Sequence, residues 1–326
     1  MVSSIPRDTT VMKTGKRRLF SLILILLAAC SRSFETTAVP AYKNTGLPVA
    51  TVAAIAADDL APLPCLPGVT DESILSGGQS RFYRLVVPQS YKAGTPTPLL
   101  LGFHGAGSNP AQFEAATGFD AQADRFGFLV VYPQGLGEPS NWDTLPNSTD
   151  VPFVRDLIGA IAARCSLDLN RVYAAGFSRG GGMVNRLACD LSDRIAAIGP
   201  VSGDYSASET CSPLRPVPVV AFHGTADPAI PYNGYSAPGQ TLQSHTRIGT
   251  PIPDWAYAWA GRNGCSSTAE RIFQFGPVSG QGWGQCRAGA DVVLYTIQDG
   301  THEWPTVVDA AQMLWDFFSR HPLTSG

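Results

Sequence analysis

The sequence predicts an α/β fold: one domain built on a mostly parallel central sheet with helices on both faces. Three observations carry that expectation. Short apolar runs recur along the chain, reading FYRLVVP, PLLLGF, GFLVVYP, RVYAAG, IAAIGPVSG, PVPVVAFHG and DVVLYTI, as strands buried on both sides do. Between them lie stretches at helical spacing, such as Val154, Leu157, Ile158, Ile161 and Ala162 at i, i+3, i+4, i+7 and i+8. Strand and helix in alternation require crossover connections, which produce parallel pairing. Finally, 44% apolar and 15% charged residues in 326 describe an ordinary globular protein with a sizeable core.

In chain order the first element is a targeting segment. Lys13, Lys16, Arg17 and Arg18 precede an apolar run from Leu19 to Leu27 and then small residues, the order of an export signal over residues 1–29. The run is too short to cross a bilayer comfortably. Leu27-Ala28-Ala29-Cys30 resembles the cleavage box of bacterial lipoproteins, which makes Cys30 the expected lipidation site and the membrane an expected partner through the lipid. A soluble secreted protein cut near the same place is the alternative. Residues 30–64, rich in Ala, Thr, Pro and Ser without sustained period, read as a flexible tether. Residues 65–326 are the expected catalytic domain. The formal charge of −3 gives no basic field for nucleic acid, and loss of the basic export segment leaves the remainder more acidic still.

The decisive local pattern is Gly176-Phe177-Ser178-Arg179-Gly180. Five letters of this kind arise by chance in a glycine-rich chain, so context decides. Ser178 sits where the strand RVYAAG ends and the helical pattern RGGGMVNRLAC begins, the strand-turn-helix setting of a nucleophile elbow. The alternative is a serine that merely caps the helix. A nucleophilic serine needs a histidine base oriented by a carboxylate, and on sheets of this type these follow the serine in the order acid, then histidine. His104 precedes Ser178; His245 and His321 read as surface residues; His223 precedes the best acid and is expected to brace its turn. His302, after DVVLYTI, remains as base. Asp227, just past PVPVVAFHG, is the first choice of acid, with Asp204 the runner-up. The backbone N–H groups of Arg179 and Ala106 are the expected oxyanion donors. No metal-ligand spacing is present and no cofactor is expected.

The segments FHGAGSN, RVYAAGFSRGGGMVNRLACDLSDRIAAIGPVSG, RPVPVVAFHGTADPAIPY, WAGRNGC and GTHEWP together resemble the bacterial polyhydroxybutyrate depolymerase and feruloyl esterase family, exported serine esterases of the α/β-hydrolase fold. The likeness runs from about Ser76 to Phe318. It implies that Ser178, Asp227 and His302 serve as nucleophile, acid and base. Two positions depart from the family pattern: Arg179, where a smaller or neutral residue is usual, and Glu303, where Thr is common. Arg179 is expected either to form a salt bridge outside the pocket or to bias binding toward acidic acyl groups.

Six cysteines besides Cys30 give an even count that suits disulfides in an exported chain, with fifteen possible connectivities. Cys265 with Cys286 and Cys189 with Cys211 are the favoured near neighbours, which leaves Cys65 with Cys165. The first pair would staple an insertion read as a loop bordering the active site. Trp142, Tyr232, Trp283 and Trp304 are candidates to line an aromatic cleft, whereas Trp255 and Trp259, four apart on one helix, read as core. The expected substrate is an ester, polymeric or polymer-attached: a polyhydroxybutyrate-type oligomer or a feruloyl ester, or alternatively an acetylated xylan. A non-catalytic binding lipoprotein on the same fold is the reading from a different class, and no obligate protein partner is expected.

Overall fold

A ten-stranded sheet organises the computed structural model, which describes residues 64–205, 211–234 and 250–323. The export segment, Cys30 and the tether up to residue 63 lie outside the described residues, as does His245. The elements in order are β1 (Gly68–Ser76), β2 (Gln79–Val87), β3 (Thr97–Phe103), α1 (Pro110–Thr117), α2 (Phe119–Phe126), β4 (Leu129–Pro133), α3 (Asp150–Ala162), β5 (Leu167–Phe177), α4 (Arg179–Asp190), β6 (Ala197–Val201), β7 (Val219–Gly224), α5 (Ile252–Asn263), β8 (Glu270–Phe275), β9 (Val278–Trp283), β10 (Val292–Ile297) and α6 (Ala310–Phe318). The spatial order is β1-β2-β4-β3-β5-β6-β7-β10-β9-β8. From β4 to β10 every neighbouring pair is parallel, while β1 and β2 at one edge and β9 and β8 at the other run antiparallel. With helices on both faces, this is the α/β-hydrolase fold in a single domain.

Seven of the strands are the seven apolar runs of the sequence, and their burial explains why those runs are continuous. Successive residues of a strand face opposite sides of a sheet. In β3, Leu99 and Leu101 enter one core with α3, α4 and α5, while Leu100 enters the other with α1, α2 and α6. Val172 and Ala174 of β5 face the first core, Tyr173 and Ala175 the second. Both faces of these central strands are dry, so no polar alternation survives in them, whereas β2, nearer the edge, alternates at its start.

The sequence expectation fails at the sheet edges. Strand β1 buries only its last residue fully, and the segment read as an active-site loop is the β8–β9 hairpin. Its β8 carries no fully buried residue, and β9 has two glycines. An edge strand needs neither an apolar run nor clean alternation, so periodicity gave no signal there. Among the described residues the three disulfides are Cys65–Cys165, Cys189–Cys211 and Cys265–Cys286: the two near pairs favoured by sequence, and the pair they leave. The first pins the start of the domain to the turn after α3; the third joins the end of α5 to the loop before β10.

Candidate active site

Ser178 occupies the junction of β5 and α4 with φ 55° and ψ −117°, a backbone region that side-chain-bearing residues seldom enter. The flanking glycines make that conformation possible. A Cβ on Gly176 would stand 2.4 Å from the Gly180 carbonyl oxygen, and one on Gly180 would stand 2.0 Å from that of Phe103. Helix α4 therefore starts hard against both β5 and the end of β3, which pushes the serine out at the carboxyl edge of the sheet. Its hydroxyl makes no capping bond to α4, which removes the capping alternative.

Instead, Ser178 Oγ lies 2.8 Å from His302 Nε2, and His302 Nδ1 lies 2.8 Å from Asp227 Oδ2. The three side chains come from the loops after β5, β7 and β10, so parallel register delivers them to one edge although 124 residues separate serine from histidine. Asp227 is buried, and its Oδ1 accepts the N–H groups of Ala229 and Ile230 at 2.9 and 2.8 Å. His223, also buried, donates from Nε2 to the Ile230 carbonyl at 2.8 Å and stands 3.4 Å from Asp227 Oδ2, the bracing place expected for it. Burial opposes ionisation of Asp227, but hydrogen bonds from His223, His302 and the Ile230 N–H prevail and hold its carboxyl well below the usual range. An ionised Asp227 can only accept, so Nδ1 of His302 carries the proton and Nε2 is left as an acceptor toward Ser178.

The loop after β3 faces the same point. His104 is buried; its Nδ1 donates to the Gly105 carbonyl at 2.7 Å, and its Nε2 accepts the Gly135 N–H at 3.0 Å. That pattern requires a neutral ring, in keeping with a pKa pushed down by burial. Trp142 Nε1 donates to the His104 carbonyl at 2.8 Å, and the Gly107 N–H is bound by the Ser140 carbonyl at 2.7 Å. The loop is thus held from both ends, with Ala106 bordering a cavity of about 360 Å³ beside Ser178 and His302. Arg179, the first residue of α4, has a backbone N–H that finds no acceptor within the helix. Phe113, Phe177 and Trp304 supply apolar wall to the cavity, and Glu303 and Gln112 supply polar rim. Among the described residues, no three His, Cys, Asp or Glu side chains are grouped to hold a metal.

An arrangement of hydroxyl, imidazole and carboxylate in hydrogen-bonded series, beside a loop and a helix start that offer N–H groups, is equipped for acyl transfer. Residues 82–231 match the family described as Esterase PHB depolymerase. The chain is 31% identical to feruloyl esterase B of Piromyces equi over 246 residues, 72% of this chain and 44% of that enzyme. The chain belongs to this polyhydroxybutyrate depolymerase and feruloyl esterase family.

Other relatives agree at the same level. NocK of Nocardia uniformis subsp. tsuyamanensis, which carries an esterase name, is 28% identical over 320 residues, 90% of each chain. The bifunctional acetylxylan esterase/xylanase XynS20E of Neocallimastix patriciarum is 30% identical over 227 residues, 69% of this chain and 31% of that protein. The chain thus spans less than half of two of these three relatives. Among solved structures, the acetyl xylan esterase from Aspergillus awamori shares the fold with a TM-score of 0.59 at 14% identity, covering 77% of this chain and 99% of that one.

Of the four aromatic residues expected to line the cleft, the structure places one, Trp304, at the cavity, where its ring meets Phe113 and Phe119 edge-on. Trp142 is 1% exposed and supports the His104 loop from beneath. Tyr232 packs behind the acid loop, its hydroxyl 2.8 Å from Thr296 Oγ1. Trp283 pairs with Val292, the first residue of β10, whereas His302 follows that strand's last residue; antiparallel β9 therefore carries Trp283 to the opposite edge of the sheet. Trp255 and Trp259 are core, as expected, and both indoles donate to Asn185 Oδ1. The Arg179 side chain turns away from the cavity: its Nε donates to the Trp142 carbonyl at 3.0 Å and its guanidinium pairs with Asp204 at 3.1 Å. The runner-up acid is thus engaged elsewhere. His321, read as a surface residue, instead packs on the Phe317 ring and bonds that residue's carbonyl. Phe113, Phe177 and Gln112 were not anticipated. The signal for Phe113 and Gln112 was available in Asn109-Pro110, a helix start directly after the His104 loop.

Proposed function

We propose that this esterase cleaves carboxylic esters through an acyl-serine intermediate. The carrying observation is the unbroken series from Ser178 Oγ through His302 to Asp227, with both links at 2.8 Å. In this reading His302 Nε2 takes the Ser178 proton as Oγ attacks the ester carbonyl, and the negative charge on the carbonyl oxygen is met by the N–H groups of Arg179 and Ala106. His302, now an imidazolium held by Asp227, returns the proton to the leaving alcohol. Water then repeats the cycle on the acyl-serine, and the free acid departs. No cofactor enters this scheme.

The substrates in this reading are esters of a polymer or attached to one: polyhydroxybutyrate-type oligomers or feruloyl groups on plant polysaccharide. The aromatic wall of Phe113, Phe177 and Trp304 supports an apolar or aromatic acyl group. The likeness to an acetylxylan esterase keeps acetylated xylan as a second substrate. We also propose export with lipid attachment at Cys30, which would hold the domain on a membrane by its tether. Parallel assays on methyl ferulate, hydroxybutyrate oligomers and acetylated xylan test the substrate reading. Turnover of the first or second at ten times the rate of the third or more supports it, and preference for acetylated xylan replaces it.

A further inference from the structure

We infer that Glu303 is a charge filter on the cavity beside Ser178, selecting uncharged esters and turning away those that carry a carboxylate into it. The inference rests on the esterase reading above and adds a specificity-determining residue to it.

Glu303 directly follows His302 and borders the cavity. Of the residues that line it, a glycine, two alanines, two serines, a glutamine and three aromatics surround His302, so Glu303 carries the only permanent charge among them. Among the described residues its carboxylate makes neither a hydrogen bond nor an ion pair; only its backbone N–H is engaged, with the Thr301 carbonyl. The cation nearest in sequence to Ser178 does not offset it, because the Arg179 guanidinium is committed to Asp204 and to the Trp142 carbonyl. A carboxylate on a substrate seated in this cavity therefore meets one unpaired negative charge and no permanent positive charge among the lining residues. The same carboxylate is an acceptor for hydroxyl or ammonium donors on a substrate, so the filter tolerates hydroxylated esters while it rejects acids.

Two like charges about 7 Å apart repel enough, between surface and bulk-water dielectric behaviour, to change a rate about 3- to 50-fold. Because the group faces an open cavity, salt weakens the effect. A uniform influence of Glu303 on the neighbouring His302 would alter all substrates alike, and it cancels in a ratio of two substrates measured on one variant.

The test uses two matched pairs: dimethyl adipate against monomethyl adipate, which differ by a carboxylate on the acyl side, and phenyl acetate against 4-carboxyphenyl acetate, which differ on the alcohol side. The ratio of kcat/KM, neutral over anionic, is measured for wild type, Glu303→Gln and Glu303→Lys at low and high salt, with thermal unfolding as the check on folding. In at least one pair the ratio should fall about 3- to 50-fold in Glu303→Gln, fall further in Glu303→Lys, and depend on salt in wild type more than in Glu303→Gln. Folded variants that turn over the neutral esters yet keep the wild-type ratio in both pairs overturn the filter and leave the esterase reading intact. Wild type that turns over none of the four esters overturns the esterase reading, and the filter with it.

Discussion

Substituting Gly180 by alanine tests whether the nucleophile's position depends on the close approach of α4 to β3. A Cβ there would lie 2.0 Å from the Phe103 carbonyl oxygen and 2.6 Å from that of His104, where ordinary contact begins at 3.4 Å. Something must open by about 1.4 Å, and both neighbours are backbone with no rotamer to yield. Alanine is the better helix former by about 0.8–1.0 kcal/mol, but inserting a methyl group into packed backbone costs about 1–3 kcal/mol, so the steric term wins. The net cost is up to about 2 kcal/mol, and the Tm of a domain of this size should fall by up to about 9 °C. The larger effect is on catalysis, since the same shift separates Ser178 from the His104–Gly107 loop, and a misplacement of about 1 Å costs on the order of 100-fold in rate. Gly159→Ala is the control: that glycine is exposed on α3, with nothing within 4 Å of an added Cβ, and the change should stabilise by about 0.5–1 kcal/mol through propensity alone. The assay is kcat/KM on p-nitrophenyl acetate together with thermal unfolding of both variants. Gly180→Ala within threefold of wild type in kcat/KM and unchanged in Tm would refute the reasoning.

Two further outcomes concern stability. Asp120 is pushed up to about 7, first by burial and then by the neighbouring Glu114 and Asp124 charges, against the pull of the Tyr132 hydroxyl. A raised carboxyl keeps its proton in the folded protein where the unfolded chain has released it, so its contribution is greatest at acid pH and is lost as pH rises from about 4 through 7. Discounted for partial exposure, Asp120→Asn should stabilise by about 1–2 kcal/mol at pH 8 relative to pH 4.5; equal Tm differences at the two pH values would contradict this. Removing the Cys65–Cys165 bridge, which closes a loop over a separation of 100 residues, by Cys65→Ser with Cys165→Ser should cost about 4–5 kcal/mol. Thermal unfolding reads that loss directly, and a Tm within 2 °C of wild type would mean that the bridge adds nothing.

Much of this fold and its candidate site was legible because parallel strands buried on both faces leave continuous apolar runs. The loops after such strands gather at one edge, so the order of Ser178, Asp227 and His302 along the chain already implied their meeting. Side-chain direction was not legible. Nothing in the sequence distinguishes Trp304, at the cavity, from Trp142, whose indole is drawn under the His104 carbonyl, or from Trp283, which antiparallel pairing carries to the far edge. The β8–β9 hairpin reads in sequence as an active-site loop because its glycines suggest one, whereas in the fold they make room for side chains packed over them: a Cβ on Gly280 would stand 2.8 Å from Phe273 and Tyr295. The sequence allows Arg179 two roles, and the structure supplies the deciding partner in Asp204.

Everything proposed for this site depends on Ser178 being a nucleophile activated by His302. A fluorophosphonate probe followed by intact-mass and peptide mapping tests it most directly, because phosphonylation requires an activated hydroxyl and no knowledge of the natural ester. One adduct should form, on Ser178, absent in Ser178→Ala and slowed at least 100-fold in His302→Ala, with both variants unfolding near the wild-type temperature. An adduct that persists in Ser178→Ala, or a folded wild type that takes none, would contradict it.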